Sequence, residues 1–439
     1  MRRPAAGARE PRSARRYRRL SPGPGTDRAA VRAHQRGRII AATFDLVAER
    51  GYGKTTVREI AALAGVSKAS FYEQFDGKAA CFVAALDVAL REAARVLMPA
   101  AAGGPGDRER LRAGLIGLAD LLAEQPQGAR SVLVESMGAP PEVRSYLRRR
   151  FGLLEALVRE RLAAAPLAGK LPRALTTGIV RGIAHHATRC VRLGVPEQFR
   201  TLVDPLLDWG LSFHDREVLV PFAAPCAPEA RSPRWATVPE SWAELPTTRD
   251  LLTSAALRLA LNRGIDALTP TRIRRAAGVA KRDFDAYFQD ETACILAALD
   301  ERIDELLSTA LRKVVVDDPW VERIRSLLAH VTELLAADPA ITRLVFVEGA
   351  DAAPQSLPWR ERLITEWADA IYREAPSNAS PDPPVAEATI AAIWGLIGDL
   401  TAAGRATDLP AHAARMASFI LTPVLGAPRA AEAIVGQAA

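Results

Sequence analysis

The sequence contains an internal repeat that spans most of its 439 residues. Arg38–Asp87 aligns with Leu251–Asp300 at a constant offset of 213 residues and without a gap, and eighteen of those fifty positions are identical. Three pairs farther along follow the same offset: Arg130 and Arg343, Glu135 and Glu348, and Gly182 and Gly395. Solenoid repeats have periods of roughly 20 to 50 residues. The much longer period of this chain therefore predicts two whole protomers fused head to tail.

Each copy has the periodicity of amphipathic helices. In Arg38–Val47, apolar residues recur at spacings of three and four, which places them on one face of a helix. No segment alternates convincingly between apolar and polar residues, as a half-buried strand would. Apolar residues make up 49% of the chain, which is enough to bury a core. We therefore predict an all-α fold.

A helix-turn-helix motif follows the first helix of copy one. Thr55 and Thr56 offer hydroxyl groups at the start of a second helix over 57–64. Gly65 then predicts a tight turn, and a serine caps a short third helix over 68–75. Two short helices joined by a glycine turn of this length are typical of helix-turn-helix domains.

The third helix has the composition of a recognition helix. Small and polar residues at its N-terminal end allow that end to approach base edges in the major groove. Phe71 and Phe75 are four residues apart and are expected to face inward, while Tyr72 and Lys78 are expected to reach phosphates. The predicted DNA-contacting residues are Thr55, Thr56, Ser67, Lys68, Ala69, Ser70, Tyr72 and Lys78.

Thr55–Phe75, followed by Lys78, resembles the DNA-binding signature of the TetR/AcrR family of transcriptional regulators. The resemblance implies a three-helix DNA-binding domain, a fourth connecting helix, and a larger helical domain that binds a small molecule and dimerises. In that family the ligand typically releases the operator. We therefore expect a transcriptional regulator, most simply a repressor, whose partners are a double-stranded DNA operator and a small-molecule effector of unknown identity.

Proline density and the repeat divide the chain into six predicted parts. The boundaries are an Arg-rich disordered tail at 1–32, a TetR-type helix-turn-helix domain at 33–80, a helical ligand-binding and dimerisation domain at 81–215, a Pro-rich linker at 216–246, a degenerate second helix-turn-helix domain at 247–293, and a second helical domain at 294–428. In copy one the helices after the connecting helix are expected at about 107–124, 127–137, 141–165, 172–195 and 197–214.

Copy two keeps the apolar positions of the motif and changes its polar surface. The replacements at the fixed offset are Ala280 for Ser67, Asp283 for Ser70, Asp285 for Tyr72 and Glu291 for Lys78. Carboxylates are repelled by phosphates, so we predict that this second motif folds without docking on DNA in the usual way. The alternative is a rearranged basic surface that still binds the DNA backbone through Arg272, Arg274, Arg275, Lys281 and Arg282.

The basic charge of the chain is concentrated at its N-terminus. Residues 1–38 have a net charge of +10, although the whole chain has a net charge of only +7. Arginines interleaved with proline, glycine and alanine favour disorder. Two interpretations stay open: an arm that follows the DNA backbone or enters the minor groove, and a dispensable extension or an upstream mis-start of translation.

The sequence leaves the assembly open between two arrangements. Two copies in one chain could pair as a covalent pseudo-dimer with one helix-turn-helix that is competent to bind DNA. Alternatively, two chains could form a homodimer with two such helix-turn-helix segments. An effector pocket is expected between the helices of a C-terminal half. Polar residues that could contact the effector are named here, although each is more simply explained as a core or surface residue: Tyr146, His185, His186, Arg189, Trp367, Trp394 and Asp399. His185 and His186 are adjacent on a helix and point about 100° apart, so no metal pair and no cofactor are predicted.

Several classes of protein are disfavoured. The chain lacks a Gly-rich phosphate loop, a GxSxG elbow and an HExxH motif, so an enzyme is not expected. No run of about 18 uncharged apolar residues predicts a membrane span. Cysteines at 81, 190, 226 and 294 without CxxC spacing indicate a reducing cytoplasm. The remaining rival is a ligand-sensing or protein-interaction module with little or no DNA binding.

Overall fold

The computed structural model of the chain describes residues 27–97, 107–164, 173–214, 247–349, 353–376 and 380–435. Within these ranges all regular structure is helical and no strand occurs, so the predicted all-α class is confirmed. The predicted linker at 216–246 and most of the predicted tail lie outside the described residues.

The first helix begins before the predicted end of the tail. It starts at Arg28, where Asp27 caps it by accepting a hydrogen bond of 3.0 Å from the backbone nitrogen of Ala29. The tail boundary at residue 32 is therefore wrong by about one helical turn, because an aspartate cap and good helix formers extend the helix in the N-terminal direction.

The helices of the first half match the predicted spans closely. They are α1 (Arg28–Arg50), α2 (Val57–Ala64), α3 (Lys68–Tyr72), α4 (Lys78–Leu97), α5 (Asp107–Glu124), α6 (Pro126–Leu133), α7 (Pro141–Ala164), α8 (Arg173–Leu193) and α9 (Phe199–Leu211). The helix expected over 127–137 ends at Leu133, and a 3-10 turn over Glu135–Gly138 replaces its last part. Pro140 and Pro141 carry no N–H group, so the α-helical hydrogen bonds to Ser136 and Met137 cannot form.

The second half repeats this order of elements. Its helices are α10 (Thr248–Arg263), α11 (Pro270–Ala277), α12 (Lys281–Tyr287), α13 (Glu291–Leu311), α14 (Trp320–Ala337), α15 (Pro339–Arg343), α16 (Ser356–Tyr372), α17 (Pro383–Ala402), α18 (Ala413–Leu425) and α19 (Ala427–Val435). A π-helical segment at Leu344–Gly349 follows α15, and a 3-10 turn at Ile265–Ala267 precedes α11.

The two helix-turn-helix segments have the same internal construction. In the first, Ile60, Phe71 and Phe75 are buried among α1 to α4. Their counterparts 213 residues later, Ile273, Phe284 and Phe288, are buried among α10 to α13. The glycines that end α2 and α11 both adopt the left-handed conformation, with φ of 62° at Gly65 and 70° at Gly278. Only glycine takes up this conformation without strain.

Contacts in the larger helical regions also recur at the fixed offset. The Tyr146 hydroxyl donates to Asp87 at 2.7 Å, and the Trp359 indole nitrogen donates to Asp300 at 2.6 Å. The ion pair of Arg130 with Glu135 measures 3.0 Å, and that of Arg343 with Glu348 measures 2.9 Å. Both halves thus connect α4 to α7, or α13 to α16, through an aspartate and an aromatic donor.

One hydrophobic cluster contains residues of both halves. Helix α8 packs along α17, while α9 and α18 pack beside them. The rings of Trp209 and Phe213 from α9 and the turn after it lie against Phe419 of α18, with centroids 6.5 and 5.2 Å apart respectively. A Cβ atom on Gly182 would lie only 2.6 Å from the carbonyl oxygen of Ala388, so the two backbones approach to a distance that only glycine permits.

Among the described helices, α17 is long and apolar enough by composition to cross a membrane. However, 72% of its most apolar 18-residue stretch is buried inside the protein, where the helix contacts α8, α9, α16 and α18. This burial is typical of the central helix of a helical core.

Candidate DNA-binding surface and effector cavity

Helix α2 begins with a reciprocal cap. Thr56 accepts a hydrogen bond of 3.3 Å from the backbone nitrogen of Glu59, and Glu59 accepts one of 2.9 Å from the backbone nitrogen of Thr56. This capping box satisfies two N–H groups that would otherwise lack partners. The hydrogen bonds from Thr56 and the nearby Arg50 lower the pKa of Glu59, which stays charged at the positive end of α2. The motif is therefore held at its start by its own side chains.

Helix α3 presents the predicted contact residues at its N-terminal end. Ser67 caps the helix by accepting a hydrogen bond of 3.0 Å from the backbone nitrogen of Ser70. Ser67, Lys68 and Ala69 are exposed, and Tyr72 is 49% exposed, whereas Phe71 is fully buried. The short side chains at the start of α3 leave room for base edges, and Lys68 and Tyr72 stand beside them with a cation and a hydroxyl.

Two of the predicted contact residues have roles inside the domain. Thr55 is 1% exposed and its hydroxyl donates to the carbonyl oxygen of Gly51 at 2.9 Å, so its side chain does not belong to the contact surface. The Lys78 ammonium donates to the carbonyl oxygens of Tyr52 and Thr55 at 2.8 and 2.9 Å, and it lies 4.0 Å from the centroid of the Tyr52 ring. Burial lowers the pKa of Lys78. Both side chains fasten the segment between α1 and α2.

Sequence reasoning overlooked two exposed basic residues beside the motif. Lys54 precedes the cap residue Thr56, and Arg58 follows it on the first turn of α2; both are exposed. Their position next to a capped helix N-terminus was the available signal, since phosphates bind where N–H groups and cations meet.

The second helix-turn-helix lacks these features. Ala280 occupies the N-cap position of α12 and makes no side-chain cap hydrogen bond. Asp285 is exposed, and Asp283 is partly exposed and pairs with Arg282 at 3.3 Å. Positive and negative charges therefore alternate on the surface of α12, whereas the N-terminal end of α3 has only uncharged and basic residues.

A cavity of about 440 Å³ lies between the two halves. Its walls are mostly apolar and come from α4 to α8 of the first half and from the π segment, α16 and α17 of the second half. Apolar lining residues include Leu90, Leu118, Leu122, Phe151, Phe346, Ile364 and Trp394. The volume suits a small organic molecule. Most of its lining comes from the helices of the first half, and the π segment, α16 and α17 of the second half close the remaining side.

The polar residues named from the sequence divide into two groups. His185, Trp394 and Asp399 line the cavity, whereas Tyr146, His186, Arg189 and Trp367 do not. Tyr146 donates to Asp87 instead.

The two histidines lie closer together at their ring nitrogens than the helix geometry suggested. His185 Nε2 lies 4.0 Å and His186 Nδ1 3.9 Å from the same oxygen of Glu387. Side-chain torsions turn both rings toward Glu387 although the two positions diverge by about 100° on the helix, and the ring centroids are 5.1 Å apart.

Helix α7 connects the cavity to both helix-turn-helix segments. Asp87, on the helix that follows the first motif, accepts hydrogen bonds from Tyr146 and Arg150 of α7. Burial opposes ionisation of Asp87, but these hydrogen bonds and the charge of Arg91 outweigh it and lower the pKa of the carboxyl. Arg144, which lines the cavity, pairs at 3.0 Å with Asp266 in the turn before α11. A displacement of α7 would therefore disturb contacts to residues beside both helix-turn-helix motifs.

Comparison with known proteins matches the first motif. Residues 39–85 match the family description of the bacterial regulatory proteins of the tetR family. The HTH-type transcriptional activator FasR of Mycolicibacterium smegmatis is 27% identical over 117 residues, which are 27% of this chain and 53% of FasR. The chain thus spans about half the length of this curated relative.

Two solved structures resemble part of the chain. The fatty acid degradation regulator FadR of Bacillus halodurans is 19% identical with a TM-score of 0.37, and the match covers 40% of this chain and 96% of FadR. A TetR-like transcriptional regulator from Rhodococcus sp. RHA1 is 22% identical with a TM-score of 0.36, and the match covers 43% of this chain and 98% of that regulator. Residues 39–85, which contain the capped helix-turn-helix, are thus similar to the bacterial regulatory proteins of the tetR family.

Proposed function

We propose that this chain is a transcriptional regulator that reads duplex DNA through its first helix-turn-helix. The observation that carries the proposal is the front of α3, where a capped N-terminus exposes Ser67, Lys68, Ala69 and Tyr72 while Phe71 anchors the helix from behind. Thr56, Lys54 and Arg58 extend this surface along α2. The match of residues 39–85 to the tetR family supports the same role.

The second helix-turn-helix serves in this proposal as a structural counterpart without a reading role. Two observations support this role. Ala280 provides no side-chain cap, and Asp283 and Asp285 place carboxylates at positions where copy one has a serine and a tyrosine. Two negative charges close to the phosphate backbone oppose association with DNA.

We propose further that the chain arose by duplication and acts as a single-chain pseudo-dimer. The recurrent contacts at the fixed offset support the duplication. The packing of α8 and α9 against α17 and α18 within one chain supports the pseudo-dimer, since the resemblance implies that the larger helical domain dimerises.

The cavity between the halves is the proposed effector site. It is lined by α7, the helix whose Tyr146 and Arg150 hold Asp87 and whose Arg144 holds Asp266. An effector that pushes α7 outward would change the position of the first motif relative to the second. In this scheme the regulator is a cytoplasmic repressor that the effector releases from its operator.

DNA reading is tested by selecting bound sequences from a random duplex library and measuring affinity for the selected site. Tyr72→Ala should weaken binding by roughly tenfold or more, because a hydrogen bond to a charged phosphate is lost. Tyr287→Ala is the matched control, since Tyr287 is 50% exposed on the corresponding helix of copy two. A chain that selects no sequence, or equal losses for both variants, would favour the ligand-sensing module over the regulator.

The assembly is tested by light scattering of the complex with the selected site. A pseudo-dimer should add one mass of 47.3 kDa to the DNA and select an asymmetric site. Two chains on a palindrome would contradict the pseudo-dimer and leave the reading role of α3 intact.

The effector site is tested with the apolar dye 1-anilinonaphthalene-8-sulfonate. Binding with enhanced fluorescence at one dye per chain is expected, and Ala184→Trp should abolish it, because Ala184 is an exposed residue in the cavity wall and an indole there would fill the cavity. Ala276→Trp, at an exposed position outside the cavity, is the control. Dye binding that survives Ala184→Trp would place the dye elsewhere.

A further inference from the structure

A buried group of nitrogen and oxygen ligand atoms lies where α8 crosses α17. The side chains of His185, His186 and Glu387 are 3%, 4% and 11% exposed. One ligand atom from each residue lies within 4.8 Å of the other two. The histidines come from the first half and the glutamate from the second half, so the group spans the junction between the halves.

His185 contributes a buried nitrogen whose hydrogen bonding is unexplained. Its Nε2 atom has no hydrogen-bond partner among the described residues, and the nearest carboxylate oxygen, on Glu387, is 4.0 Å away. That distance is too long for a hydrogen bond. Nearly all buried polar groups in proteins have a partner, so an unpaired one requires an explanation such as a bound ion.

His186 is oriented as histidine ligands of metals usually are. Its Nε2 atom lies 2.8 Å from the carbonyl oxygen of Pro384. A carbonyl oxygen only accepts, so this nitrogen carries the proton and Nδ1 presents its lone pair toward Glu387, 3.9 Å away. A second ring nitrogen that donates to a backbone carbonyl fixes the tautomer of a metal-bound histidine.

We propose that His185 Nε2, His186 Nδ1 and Glu387 Oε2 bind a divalent transition-metal ion of the Zn²⁺ type, with water as a fourth ligand. Two imidazoles and one carboxylate are a common ligand set for Zn²⁺, which prefers Zn–N and Zn–O distances of about 2.0 to 2.2 Å. Such distances bring tetrahedral ligand atoms to roughly 3.4 Å from one another, so Glu387 would approach the histidines by about half an ångström. The ion would join α8 to α17.

Arg189 competes with the ion for the same carboxylate oxygen. Its Nη1 atom lies 2.5 Å from Glu387 Oε2, while Glu387 Oε1 accepts from the hydroxyl of Thr365 at 2.9 Å. The Arg189 side chain is 35% exposed, so it can turn toward solvent when a metal takes its place. The proposal therefore predicts that removing this guanidinium strengthens metal binding.

The test is a titration of the full chain, freed of metal by a chelator, with ZnCl₂ in the calorimeter. One ion per chain is expected. His185→Gln and Glu387→Gln should weaken binding by at least about tenfold, and Arg189→Gln should strengthen it by about tenfold. His330→Gln is the control, because His330 and its partner Glu333 lie on α14 outside the group.

A spectroscopic measurement on the unaltered chain covers the case in which a variant does not fold. Co²⁺ in place of Zn²⁺ should give the intense visible absorption of a tetrahedral site. The proposal would be overturned if the chain did not bind one ion, or if His185→Gln and His330→Gln bound the ion equally tightly. A purely octahedral Co²⁺ spectrum would also overturn it. None of these experiments contains DNA or an effector, so their failure leaves the proposed regulator untouched.

Discussion

Gly182 provides a quantitative test of the packing between the two halves. Replacing it with alanine would place a Cβ atom 2.6 Å from the carbonyl oxygen of Ala388 and 2.6 Å from the Trp209 ring. Neither a backbone oxygen nor a buried indole ring yields easily, so α8 and α17 must separate by roughly 0.8 Å to restore ordinary contact. Overpacking of this kind costs about 1 to 3 kcal/mol.

A matched variant isolates this cost from the change in helix propensity. Gly→Ala in a helix interior stabilises by about 1 kcal/mol when the site has room. Gly152 lies within α7, and an alanine Cβ there would meet no other atom within 4 Å, so Gly152→Ala should show that gain alone. The difference in free energy of unfolding between Gly152→Ala and Gly182→Ala should therefore be about 1 to 3 kcal/mol in favour of Gly152→Ala.

The assay is urea unfolding followed by far-ultraviolet circular dichroism. Because the buried cluster around α8, α9, α17 and α18 contains residues of both halves, the transition of these helices should shift as a unit in Gly182→Ala. Equal stabilisation by the two variants would refute the close approach at Gly182. Separate transitions of α8 and α9 on the one hand and of α17 and α18 on the other would refute the shared cluster.

Three further outcomes are expected. Ser67→Ala should lower the free energy of unfolding by about 1 kcal/mol and Ala280→Ser should raise it by a similar amount, because each changes one helix cap, as urea unfolding would show. The pKa of Asp87 is lowered in the folded chain, so its contribution to stability is present above the unfolded pKa of about 3.9 and is lost as the pH falls through the folded value; Asp87→Asn should flatten the acid side of the plot of stability against pH, and unchanged curvature would contradict this. Burial raises the pKa of Cys81 to about 11 and that of Cys294 to about 12, so both thiols should resist an aromatic disulfide reagent at pH 8 until urea is added.

The sequence predicted local structure well because local structure depends on neighbouring residues. The cap at Ser67, the glycine turn at Gly65 and the burial of Phe71 follow from spacing within one short segment, and the structure has all three. The all-α class follows in the same way from helical periodicity.

Errors arose where distant segments determine the surroundings of a side chain. Thr55 and Lys78 have the polar groups of DNA contacts, but the carbonyl oxygens of residues 51, 52 and 55 capture them inside the domain. The cavity could not be assigned to both halves, because no pattern within one copy indicates that α17 lies on α8. The rule that adjacent helix positions diverge describes Cβ directions, whereas the torsions of His185 and His186 turn their rings toward Glu387.

The internal closure of the core has a genetic consequence. Folding of α8, α9, α17 and α18 against one another is a first-order process within one polypeptide, so it does not weaken on dilution as an association between chains does. In the proposed pseudo-dimer, copy one pairs with copy two of the same polypeptide. The product of a defective allele would then not exchange halves with the intact product, so its loss should be recessive.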